Sequence, residues 1–157
     1  MLSIVKKLFI LLLIVGGVGV TATEAESDRE DVRTIEIEGL DNMRYDVEEI
    51  VAEPGEVLRI EFKTVSDMPS AAMQHNIAIL DLDTDVDAFV NASMAADDNE
   101  YIAPDMEGDV IAATDMLAGG ETDVIEFTVP ETPGEYEFVC TFPGHYAAGM
   151  VGVLIVE

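Results

Sequence analysis

The chain has 157 residues, enough for one domain with a short tail. It carries 33 acidic residues against seven Lys and Arg, a formal net charge of −26; a surface of that sign repels nucleic acid and anionic lipid, so neither is an expected partner. A single cysteine rules out an internal disulfide and leaves an inert buried thiol, an intermolecular link or a metal ligand.

Lys6-Lys7 precede an uninterrupted apolar run from Leu8 to Val20. That run is shorter than the roughly 20 residues that span a bilayer, and Val20-Thr21-Ala22 has the small-residue pattern at which a signal peptidase cuts. Residues 1–22 are therefore expected to be a cleaved signal peptide, with an uncleaved N-terminal anchor as the alternative. Either implies export, to the periplasm or the outer face of the cytoplasmic membrane, with membrane contact only through this segment. Residues 23–33, acidic from Glu24 to Asp31, read as a flexible leader, and 34–157 as the folded domain. The acids run through the whole chain without clustering, and lysine is nearly absent. This suits a hydrated, salt-adapted surface better than a docking face for a basic partner. Near 1 M salt the Debye length is about 3 Å, which leaves short-range contact to select partners.

From Arg33 onward apolar residues recur with period two. Ile35 and Ile37 alternate with Glu36 and Glu38; Leu58, Ile60 and Phe62 alternate with Arg59, Glu61 and Lys63. Ile125, Phe127 and Val129 repeat the pattern, as do Tyr136, Phe138 and Cys140 against Glu135 and Glu137. Such strands bury one face and wet the other. Pro54-Gly55, Gly119-Gly120 and Pro133-Gly134 mark turns between them. Short alternating strands punctuated in this way predict an all-β sandwich. One segment departs from the rhythm. Val86, Phe89, Val90 and Met94 form a helical stripe, and Thr84 with Asp87 resembles a capping box. A short helix over 84–96 is expected, set in an excursion from about Asp81 to Ala118 and packed by its apolar stripe onto the sheet. Asn91-Ala92-Ser93 matches a glycosylation sequon, a triplet too common to carry weight.

The chemistry concentrates at the C-terminus. Cys140-Thr-Phe-Pro-Gly-His145-Tyr-Ala-Ala-Gly-Met150 offers a thiolate, an imidazole and a thioether at intervals of five residues. The only other histidine, His75, stands upstream in Met73-Gln-His-Asn76. Two His, one Cys and a weak Met are the donor set of a blue-copper electron-transfer site. Zinc is the rival, but a structural zinc site normally draws on further cysteines or carboxylates, and a thioether serves it poorly. The alternating strand places the Cys140 sulfur on the inward face with Tyr136 and Phe138. Pro143-Gly144 then turns the chain so that His145 faces back, and Gly149 brings Met150 beneath.

Residues 42–157 resemble the azurin and auracyanin branch of the cupredoxins. Met43-Arg-Tyr, Met68-Pro69 with Met73-Gln74-His75-Asn76, and Cys140-Thr-Phe-Pro-Gly-His145 carry the likeness. The five-residue step from His145 to Met150 is more like auracyanin than azurin, which spaces that pair by four. The resemblance implies a Greek-key β-sandwich or barrel of about eight strands with one short helical insertion. It also implies one copper ion cycling between Cu(II) and Cu(I), with His75, Cys140 and His145 as equatorial ligands and Met150 axial. The Gln74 carbonyl would lie on the opposite axial side, where azurin has Gly. The Asn76 backbone amide would hydrogen-bond the cysteine sulfur. Azurin's disulfide is absent, Cys140 being the sole cysteine. Met68, Pro69, Ala72, Met73, Phe142, Pro143, Ala147 and Ala148 would ring the exposed imidazole edge as the electron port. Redox proteins, either cytochromes or membrane oxidoreductase complexes, are the expected partners. The expected function is one-electron transport without catalysis; the alternative is a copper-handling protein that stores or delivers the metal. A copper enzyme would need a further metal site, and the chain has no third histidine to build one.

Overall fold

The structure, a computed structural model, describes residues 32–157. The expected signal peptide or anchor, and the leader as far as Asp31, lie outside the described residues. Arg33, expected to close the leader, instead opens the first strand. Its guanidinium Nε–H donates to Glu56 Oε1 at 2.6 Å, and its backbone pairs with Leu58.

Eleven strands follow in chain order: β1 (Arg33–Leu40), β2 (Arg44–Tyr45), β3 (Glu49–Ala52), β4 (Val57–Val65), β5 (Gln74–His75), β6 (Ala78–Leu80), β7 (Val110–Ala113), β8 (Leu117–Ala118), β9 (Thr122–Thr128), β10 (Gly134–Val139) and β11 (Val151–Val156). β2, β5 and β8 are two-residue pairings, which leaves eight strands of ordinary length. The strands form a four-stranded sheet ordered β2-β1-β4-β9, a five-stranded sheet ordered β3-β11-β10-β6-β7, and the small pair β5-β8. Both larger sheets are mixed: β1 runs parallel to β4, and β3 parallel to β11. The chain crosses between sheets after β2 and again after β3, so parallel neighbours come from different hairpins.

The period-two pattern sets which side chains meet. Ile37, Leu58, Ile60, Phe62 and Phe127 face Ile50, Tyr136, Phe138, Cys140 and Leu154 in one core between the sheets. Phe138 lies opposite Gly152, where an added Cβ would stand 2.1 Å from the phenyl ring, so the glycine makes room for the aromatic. Ile125, expected inward, is only half-buried near the edge of its sheet.

The helix is α1 (Val86–Ser93). Its cap is not the expected Thr84: Asp85 Oδ1 accepts the Ala88 N–H at 3.0 Å, because Asp85 takes the extended backbone conformation of a capping residue. Phe89 and Val90 pack with Ala78, Leu80, Ile102 and Val139 on the outer face of the five-stranded sheet. This is the packing the stripe predicts, and it explains why all three residues of β6 are buried. Met94, the last stripe residue, sits at the C-cap and is exposed. The excursion is shorter than expected. Two 3-10 turns (Asp97–Asn99 and Pro104–Asp109) follow the helix, and at Val110 the chain rejoins the sheet as β7, paired with β6.

Candidate metal centre

Cys140 immediately follows β10, and its N–H donates to the Met150 carbonyl at 3.2 Å, extending the β10–β11 ladder by one step. The side chain is fully buried in the inter-sheet core. The loop that follows is more ordered than the simple reversal expected from Pro143-Gly144. Gly144 takes a φ of 89°, and residues His145–Ala148 form a one-turn helix, α2. Gly149, at φ 98°, ends it. Both left-handed positions favour a residue without Cβ. The His145 N–H donates to the Phe142 carbonyl at 3.0 Å, and the Met150 N–H to the His145 carbonyl at 3.0 Å. The turn therefore carries His145 at its start and delivers Met150, fully buried, at its end.

His75 comes from β5, paired with Leu117 of β8 outside the two large sheets. Its ring packs directly on Gly39 of β1. A Cβ there would stand 3.0 Å from both Cβ and Cδ2 of His75 and 2.9 Å from the Phe62 ring.

The fold brings three donor atoms together. Nδ1 of His75 lies 3.1 Å from Nδ1 of His145, and Cys140 Sγ lies 3.9 Å and 3.5 Å from those nitrogens. A triangle with these sides has a circumscribed radius of about 2.0 Å, so one point stands at metal–nitrogen bonding distance from all three atoms and slightly inside a metal–sulfur bond. All three residues are buried, and only His145 retains any surface, 3 %.

The surroundings keep the two imidazoles in ligand form but hold the cysteine as a thiol. Burial, reinforced by the neighbouring His145, lowers the His75 pKa to about 4, with Asp41 and the Leu40 carbonyl pulling weakly the other way. Burial also lowers that of His145. Both imidazoles are therefore neutral at neutral pH, with lone pairs free to coordinate. Burial pushes the Cys140 thiol up to about 12, against the pull of the Asn76 and Phe142 backbone N–H groups on the sulfur. Without a cation the site holds a thiol, and a metal must displace its proton. His75 Nε2, on the far side of the ring, is buried without a hydrogen-bond partner among the described residues.

A polar clasp joins the two ligand segments. The Asn76 side chain donates to Thr141 Oγ1 and accepts the Thr141 N–H, both at 2.9 Å. The Asn76 carbonyl accepts the hydroxyl of buried Tyr45 at 2.7 Å. The resemblance implies only a backbone amide role for Asn76; it includes Tyr45 and Thr141 in its motifs without a role, and it does not reach Gly39. Their signal lies in pairings between distant segments. Gln74 precedes His75 on β5, half-buried and paired with Ala118. Of the apolar residues expected around the imidazole, Met68, Pro69, Ala72, Pro143, Ala147 and Ala148 are exposed and Phe142 is half-buried. Met73 is 5 % exposed and belongs to the interior, because the turn closed by its N–H on the Pro69 carbonyl folds it inward. The Phe142 ring lies tilted against His145 at 4.8 Å and against Tyr101, a residue of the excursion, at 5.5 Å between ring centroids.

Comparison with known proteins agrees with this geometry. Residues 32–157 match the model of copper binding proteins of the plastocyanin/azurin family. Azurin-1 of Alcaligenes xylosoxydans xylosoxydans is 36 % identical over 125 residues, covering 77 % of this chain and 95 % of that protein. Outer membrane protein H.8 of Neisseria meningitidis is 34 % identical over 123 residues, 77 % of this chain, and the match spans 66 % of that longer protein. Among solved structures, the dithionite-reduced auracyanin of Roseiflexus castenholzii superposes with a TM-score of 0.70 at 38 % identity, covering 79 % of this chain and 96 % of that one. A neutral imidazole pair, one thiolate-forming sulfur and a buried thioether are also the soft donor set that selects copper over zinc. The chain belongs to the plastocyanin/azurin family of copper binding proteins, a cupredoxin whose copper site gathers His75, Cys140, His145 and Met150.

Proposed function

We propose that this protein is a one-electron carrier that alternates between Cu(II) and Cu(I), not an enzyme or a copper store. The observation that carries the reading is the buried triangle of donor atoms, set at bonding distance from a common point by the fold itself. When bound, copper supplies the redox couple. The residues supply a cage that need not rearrange when the charge changes: two neutral imidazoles, a sulfur held by two backbone N–H groups, and a clasp that locks the segments together. Met150, buried at the end of the ligand loop, would hold the metal as a thioether donor, and the Gln74 carbonyl would be a further candidate donor. Small reorganisation favours fast exchange, and full burial of Cys140 disfavours handing the metal to an acceptor.

Electrons would pass through His145, the ligand with residual surface. Partners would dock on the exposed ring of Met68, Pro69, Ala72, Pro143, Ala147 and Ala148 with Phe142 behind it; cytochromes or membrane oxidoreductases suit such a patch. Homology to azurin and to a protein named for the outer membrane supports an extracytoplasmic location.

The test is to add Cu(II) to the metal-free protein and record visible absorption. An intense thiolate-to-copper band is expected, absent in Cys140→Ser. Reversible loss and return of colour on reduction and reoxidation, with copper retained against an acceptor protein, supports the carrier; transfer of copper to the acceptor supports the delivery reading instead. Met68→Asp should slow electron exchange with a partner at least several-fold at unchanged colour, and an unchanged rate would remove the patch from the mechanism.

A further inference from the structure

Arg44 lies on β2, far in sequence from the ligand loop, yet its guanidinium ends on that loop. Nη1–H donates to the Met43 carbonyl at 2.8 Å and to the Ala148 carbonyl at 2.5 Å. Ala148 is the last residue of α2, where a helix leaves its carbonyls unpaired. The next residue is Gly149. A Cβ there would stand 2.8–2.9 Å from Nη2, Cζ and Nη1 of Arg44, so the planar group lies flat over this glycine. Met150 follows at once, held to Cys140 by the bond from the Cys140 N–H to its carbonyl.

The approach of the arginine is itself built in. Met43 adopts φ 56°, a left-handed conformation unusual for a residue with a side chain, in the turn closed by its N–H on the Leu40 carbonyl. That turn joins β1 to β2 and fixes where the side chain of Arg44 leaves the sheet.

We propose that Arg44 is a positioning residue for the copper site: it clamps the end of the ligand loop over Gly149 and so holds Met150 in register with Cys140 before any metal arrives. This rests on the reading of Met150 as a ligand. The fork geometry matters, because one planar group must meet a carbonyl and cover a backbone at the same time, which an ammonium cannot do.

Amide hydrogen exchange in the metal-free protein tests the clamp. In Arg44→Leu the Gly149 and Met150 amides, which donate to Tyr146 and His145 carbonyls, should exchange at least tenfold faster, with the Tyr136 and Phe138 amides of β10 unchanged. Arg44→Lys, which keeps the charge without the fork, should lie between. In the copper-loaded protein, Arg44→Leu should change the relative intensities of the visible bands and hasten copper loss to a chelator about tenfold. Unchanged exchange at Gly149 and Met150, or an equal rise throughout β10, overturns the proposal. Failure of the copper reading would appear separately, as a wild-type protein that stays colourless with Cu(II).

Discussion

His75 shows how much a buried ring can cost the metal-free chain. Its pKa in the native state is about 4 against an ordinary 6.5. Between those values the unfolded chain takes up a proton that the native chain refuses. Stability is therefore present above about pH 6.5 and is lost as pH falls toward 4. Urea titration of the metal-free protein across that window should show the decline, and it should be shallower in His75→Asn. Cys140 works in the opposite sense. Its thiol is pushed up to about 12, so at pH 7 copper uptake must release its proton, detectable with an indicator in weak buffer and missing in Cys140→Ser. Gly39 is the third sensitive residue. Gly39→Ala would press a methyl into His75 and Phe62; overpacking of this kind costs about 1–3 kcal/mol. The methyl would also displace one ligand, so copper affinity should fall more than stability does, as measured by competition with a chelator.

At the scale of elements, the site is a junction of a short strand with a one-turn helix. β5 lies outside both large sheets, so β-pairing alone ties it down weakly, and the Asn76–Thr141 clasp supplies the missing rigidity. Asn76→Ala would leave the Thr141 N–H and hydroxyl buried without partners, at a cost of about 1–3 kcal/mol. Thermal unfolding of the metal-free protein should show that loss, and the visible spectrum of the copper form should shift as well. A loss of stability without a spectral change would mean that the clasp braces the fold and not the ligands. Helix α1 has a different part. It covers the outer face of the five-stranded sheet through Phe89 and Val90, and the excursion behind it places Tyr101 against Phe142. The insertion thus buttresses the ligand loop from outside.

For the molecule as a whole, charge dominates. The chain's formal net charge of −26 falls mostly on the folded domain and repels itself there, and few of the ion pairs offset it; Arg33–Glu56 and Arg59–Glu61 are surface contacts of modest worth. Screening should relieve the repulsion. The melting temperature of the metal-free protein is expected to rise by several degrees between about 0.05 M and 1 M salt, where the Debye length falls to about 3 Å. A flat response would remove the salt-adapted reading of the acid excess. Electron exchange with a basic partner should slow over the same range by much less than steering alone would give, if the apolar ring makes the docking contact.

The sequence by itself determined the class of fold and the identity of the donors. Period-two alternation in segments such as Leu58–Phe62 needs only a strand and a core to be read, and Cys140, His145 and Met150 are joined by a loop too short to scatter them. What tertiary structure decided is whatever depends on pairing across sequence. Met73 and Met68 read alike in the chain, yet one is buried and the other 44 % exposed, because a turn on Pro69 separates them. Thr84 and Asp85 both resemble caps, and only backbone conformation chose between them. Gly39 carries no local signal, and Arg44, Tyr45 and Thr141 stand in the resembling motifs without a readable role, since each acts on a ligand segment that only the packed sheets bring within reach. Local pattern fixes which atoms can bind a metal; the distances between them are set by long-range packing, which no short window of sequence contains.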